Sequence, residues 1–104
     1  MTIPFAEIAD LAARNATEIC RRWLPDGQLR GREWYALNPR REDRHLGSFA
    51  VNVHTGRWAD FAIGMTGADL IDLAEYLYDL RPAEAARRVA AMVGHPFGQE
   101  SARE

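Results

Sequence analysis

The chain has 104 residues, 47% of them hydrophobic, and a formal net charge of −2. That length fits one domain, and the apolar share suffices for one core, which excludes a disordered chain. No apolar run approaches the roughly 20 residues that span a bilayer, and the start from Met1 to Glu7 has no basic opening of the secretory kind, so a cytoplasmic location is expected.

The single cysteine, Cys20, excludes an intramolecular disulfide and a Cys-rich metal site. On a predicted helix it reads as a small buried side chain rather than a reactive thiol. The charge is unevenly laid out. Arg14 stands against Glu7, Asp10 and Glu18 in the first twenty residues. Residues 21–57 hold Arg21, Arg22, Arg30, Arg32, Arg40, Arg41, Arg44 and Arg57 against Asp26, Glu33, Glu42 and Asp43, a net +4. Residues 58–104 are net −4. All 13 basic residues are arginine, whose planar fork suits phosphates and stacking on bases. The plain alternative for the basic middle is a solvated face.

Residues 4–23 are predicted to form one amphipathic helix, with Phe5, Ile8, Leu11, Ala12, Ala16, Ile19 and Trp23 at helical spacing. Thr2 is its expected N-cap, and Pro4 suits the first turn. Pro25-Asp26-Gly27 ends it. Residues 28–62 read as a small antiparallel sheet. Leu29 to Leu37 is one strand candidate, with Arg30, Arg32 and Trp34 on one face and Glu33, Tyr35 and Leu37 on the other. A polar loop runs from Asn38 to Gly47. Phe49, Val51 and Val53 then alternate with Ser48, Ala50, Asn52 and His54 as a half-buried strand. Thr55-Gly56 signals a hairpin closed by Arg57 to Ala62.

Residues 67–80 are predicted to be a helix, opened by a capping-box-like Thr66 and Asp69, with Leu70, Leu73, Ala74 and Leu77 on one face. Pro82 opens a further helix with Ala86, Val89, Ala90 and Val93 inward, and Gly94 stops it. The expected organisation is one domain over residues 1–97 and a disordered tail over 98–104. Helix, sheet and two helices in that order make the fold class α+β.

The middle of the chain carries a resemblance. Five short motifs follow in order: Trp34-Tyr35-Ala36-Leu37-Asn38-Pro39, Arg41-x-Asp43, Gly47-Ser48-Phe49-x-Val51-Asn52, Thr55-Gly56-Arg57-Trp58-x-Asp60-Phe61 and Gly67-x-Asp69-Leu70-Ile71. Together they resemble the zinc-binding domain that opens bacterial-type DNA primases, over about residues 30–80. They are most similar to the zinc-less version found in plasmid and phage primase–helicase polypeptides. The resemblance implies a zinc-ribbon-like antiparallel sheet flanked by helices. It implies a role in DNA replication within a plasmid, phage or other mobile-element system, with single-stranded template DNA as partner and a primase or helicase as a further one.

The family's four zinc-ligand positions fall on Asn38, Arg41, Asp60 and Ile63. Structural zinc takes four thiolate and imidazole ligands. This set cannot supply them, and a guanidinium repels a dication, so no zinc and no other cofactor is expected. A structural zinc is worth on the order of 10 kcal/mol of folding free energy. In its place an Arg41–Asp60 ion pair is expected across the same gap, with Asn38 adding a hydrogen bond and Ile63 apolar packing.

Nucleic-acid binding needs guanidinium groups for phosphates and aromatic faces for unstacked bases. By resemblance that role falls to Arg30, Arg32, Trp34, Arg57 and Trp58 in the sheet, with Arg40, Arg44 and His45 in the adjoining loop. Phe49 and Phe61 read instead as core aromatics. Catalysis is not expected. Asp69 suits a helix cap, Asp72 and Glu75 an exposed helix face, and His45, His54 and His95 are scattered. The alternative function is a protein-interaction scaffold that has lost DNA binding.

Overall fold

The computed structural model describes residues 2–42 and 46–102. The amphipathic N-terminal stretch forms two helices rather than one, α1 (Phe5–Arg14) and α2 (Ala16–Trp23). Asn15 breaks them apart: its backbone leaves the helical region at φ −114° and ψ 20°, while its side-chain amide donates to Leu11 O at 2.8 Å. A short polar side chain that bonds its own backbone competes with the helical ladder. Pro4, not Thr2, occupies the N-cap position.

The sheet has five strands, β1 (Gln28–Arg30), β2 (Glu33–Ala36), β3 (Phe49–Asn52), β4 (Trp58–Asp60) and β5 (Met65–Gly67), each antiparallel to the next in chain order. The expected single strand from Leu29 to Leu37 is therefore a hairpin. Gly31, at φ +61°, supplies the left-handed turn between its arms. β5 was not anticipated either; it lies just before the stretch read as helix and overlaps it only at Gly67.

Cross-strand partners share a face of a sheet. The register sets Trp34 opposite Val51, Val51 opposite Trp58, and Phe49 opposite both Ala36 and Asp60. That row set is the core face. Arg30 stands opposite Glu33, so it shares the other face with Glu33 and Tyr35, not with Trp34. Two tryptophans anchor the core face. The Trp34 indole N–H donates to Leu24 O, and that of Trp58 to Asp69 O, both at 3.1 Å.

Helices cover this face. α3 (Leu70–Tyr78) starts at Asp69, whose carboxylate accepts from Asp72 N–H at 2.9 Å. α4 (Pro82–Val93) begins with proline and ends at Gly94, φ +74°. α4 packs on α1 and α3. Ile8, Ala12, Phe49, Val51, Leu70, Leu73 and Val89 form one buried cluster. Each fully buried large side chain there contributes about 1.5–3 kcal/mol.

The expected tail carries a further helix, α5 (Pro96–Ala102). Phe97 is buried and lies under the Arg87 guanidinium, 5.1 Å from the ring centroid. One buried aromatic, placed just before the expected tail, holds this segment on α4, and the fading apolar pattern after Gly94 gave no signal for it.

Candidate nucleic-acid interface

Three of the four positions matched to zinc ligands converge at one end of the core face. Asp60 on β4 is fully buried. Its Oδ2 accepts from Asn38 Nδ2 at 2.8 Å and from Arg41 Nε at 2.9 Å. Its Oδ1 accepts from Ala62 N–H at 3.0 Å and from Arg41 Nη2 at 3.2 Å. Arg41 thus grips the carboxylate in a fork, and it also donates to Ser48 Oγ at 3.3 Å. Burial on its own raises the Asp60 pKa, but the hydrogen bonds from Asn38, Arg41 and Ala62 and the Arg41 charge outweigh it and hold the carboxyl below its ordinary value.

Ile63 is not part of this cluster. The turn after β4, in which Ala62 N–H bonds back to Asp60, carries Ile63 outward, and it is 48% exposed. Its anticipated place is taken by Tyr76 of α3, whose hydroxyl accepts from Asn38 Nδ2 at 2.9 Å. A tyrosine nearly forty residues further along the chain carries no local signal for this contact. Among the described residues no three His, Cys, Asp or Glu side chains gather as a metal site.

Among the described residues no helix lies over the other face of the sheet, which reads in rows. Arg30, Glu33 and Asn52 make the first, and Asn52 N–H bonds to Arg57 O at 2.7 Å, bringing Arg57 to its end. Gln28, Tyr35, Ala50, Ala59 and Thr66 make the second. Phe61 follows, its N–H bonded to Ser48 O at 2.7 Å. The two alanines leave a depression of about 260 Å³, lined among others by Glu33, Tyr35, Asn52, Arg57 and Phe61. The Arg30 guanidinium lies 5.9 Å from the Tyr35 ring centroid. Phe61 is 71% exposed.

The anticipated interface residues divide. Arg30 and Arg57 both stand on the open face, at the two ends of its first row. Arg32, exposed in the β1–β2 turn, borders the same end, where its carbonyl accepts from Val53 N–H. Trp34 and Trp58 are each only 5% exposed, with their indole N–H groups already satisfied inside the core, so neither presents a ring for stacking. Arg40 lies over Tyr76, at 5.9 Å, on the helical side of the sheet. Arg44 and His45 fall outside the described residues. The aromatic groups on the open face are instead Tyr35 and Phe61. Strand alternation could have found Tyr35, because it shares its face with Glu33. Phe61 was read as core because it follows a buried strand, whereas it lies one residue past β4 on the opposite face from Asp60.

No family model matches the chain, and no curated protein matches it in sequence. Among solved structures it is similar to the crystal structure of the Aquifex aeolicus primase, comprising zinc-binding and RNA polymerase domains, with a TM-score of 0.69 at 22% identity. The likeness covers 90% of this chain and 22% of that one. The chain thus spans well under two thirds of the primase it matches, and at this identity the likeness is one of fold: an α+β arrangement also found within a bacterial primase.

Proposed function

We propose that this chain is a zinc-free relative of the primase zinc-binding domain that binds single-stranded template DNA as an accessory module, without catalysis of its own. The observation that carries this reading is the sheet face that no described helix covers, where the row holding Arg30 and Arg57 runs beside Tyr35, with an exposed Phe61 beyond. Guanidinium groups meet a strand's phosphates there, and two rings accept its unstacked bases. The Asn38–Arg41–Asp60 cluster takes over the job of the absent metal, since a buried carboxylate already gripped by a guanidinium cannot also ligate a cation. A primase or helicase partner, a plasmid or phage setting and a cytoplasmic location belong to the same reading; among the described residues no helix is long and apolar enough to cross a membrane.

The test is fluorescence anisotropy with a labelled single-stranded oligonucleotide across a salt series. With Arg30 and Arg32 on phosphates, log affinity should fall with log salt at a slope of about −1.4. Arg30→Glu combined with Arg57→Glu should abolish binding, and Phe61→Ala should weaken it by about 1–3 kcal/mol. A second reading, a protein-docking scaffold, draws on the exposure of Phe61 and Ile63. Absence of strand binding even at low salt would favour it.

A further inference from the structure

The depression on the open face has a composition that phosphate binding does not explain. Its floor is Ala50 and Ala59, its walls include Tyr35 and Phe61, and Glu33 and Arg57 stand at its edge. Glu33 is half-buried and lies in register with Arg30 on one side and Asn52 on the other. Arg30 nonetheless turns to Gln28 Oε1, at 3.0 Å, and to the Tyr35 ring. Among the described residues the side chains of Glu33 and Arg57 make no hydrogen bond or ion pair. A carboxylate left unpaired between arginines weakens any generic attraction for a phosphate chain and leaves two acceptor oxygens open to a pair of donors.

An ionised carboxylate only accepts, through two parallel oxygens. Among the bases, guanine alone offers two adjacent donors on its Watson–Crick edge, N1–H and N2–H2. Adenine and cytosine each set an acceptor beside their amino group, and thymine flanks its one N–H with two carbonyls. Along its adjoining edge guanine presents O6 and N7, the pair that an arginine fork recognises. The cavity, at about 260 Å³, falls just below the size range of drug-sized ligand pockets, which suits one base rather than a run of several.

We infer that this depression is a single-base site selective for guanine within a single strand, with Glu33 accepting from N1–H and N2–H2, Arg57 facing O6 and N7, and Tyr35 and Phe61 bounding the base. The inference rests on the open face being the nucleic-acid surface.

The experiment compares the intact chain's affinity for an all-dT 12-mer with that for 12-mers carrying one central dG, dA, dC or deoxyinosine. A single dG should tighten binding about tenfold over dT, dA or dC. Deoxyinosine, which lacks the N2 amino group, should lose most of that gain. In Glu33→Gln, matched to the parent in melting temperature, the dG-to-dT affinity ratio should collapse toward one. Equal affinity for dG, dA and dC with dT still bound would overturn the guanine site and leave the sheet face standing as a strand surface. No binding of any 12-mer would overturn both. A Glu33→Gln chain that tightens on every oligonucleotide by one factor and keeps its ratio would show that the carboxylate acts as bulk charge, and would remove it from the site. Free GMP binding more tightly than the dG 12-mer would overturn the assignment to a strand.

Discussion

Asp60 concentrates the chemistry of this fold in one side chain. A fully buried carboxylate is costly unless each oxygen is satisfied, and here two donors meet each oxygen. Arg41→Ala would remove two of those donors and leave a buried charge short of its partner. It should cost about 3 kcal/mol, read as a fall in the denaturation midpoint with an unchanged slope. The same contacts give a pH signature. Because the Asp60 pKa is lowered in the folded chain, its contribution is present above the ordinary carboxylate value and is lost as pH falls through the lowered one. The stability gap between the parent and Asp60→Asn should therefore be widest near neutrality and close below about pH 4. Cys20 makes the opposite point. Burial pushes its thiol up to about 12, so it should stay silent to a thiol reagent in the native chain and react at full stoichiometry once denaturant unfolds it.

At the scale of elements, the two tryptophans of the sheet, Trp34 and Trp58, each lie against a glycine. A Cβ on Gly67 would come 2.1 Å from the Trp58 indole, and one on Gly27 would come equally close to that of Trp34. Neither position needs an unusual backbone angle; what each requires is room. Gly67 is the last residue of β5, so its missing side chain lets that edge strand close over the Trp58 ring, which also stacks on Tyr76 with centroids 5.3 Å apart. Gly67→Ala should destabilise the chain by about 1–3 kcal/mol through overpacking, and denaturation followed by tryptophan fluorescence would measure it. The loss should be larger than for an alanine at exposed Gly64, where only the strain of φ +66° is met and no atom lies near.

At the scale of the whole molecule, the sheet divides two tasks. Its core face carries the helices and, at one end, the Asn38–Arg41–Asp60 cluster; its open face carries the proposed strand site. Stability that rests on side-chain hydrogen bonds and helix packing should not respond to a chelator, so the melting temperature should be the same with and without EDTA; a fall would mean that a metal contributes after all. The amino-acid sequence by itself determined the fold class, the positions of α3 and α4, the Phe49–Val51 strand and the arginine-rich middle, because these depend on local periodicity, capping residues and turn chemistry. It also paired Arg41 with Asp60 through a resemblance in spacing. Only the tertiary structure decided which aromatic rings meet solvent. Trp34 and Trp58 turn inward because their indole N–H groups find carbonyls at Leu24 and Asp69 and their rings find glycines. Phe61 turns outward because the strand alternation continues one residue past Asp60. Those partners lie seven to eleven residues away, beyond the reach of any local pattern. The same long-range geometry set Tyr76 where Ile63 was expected.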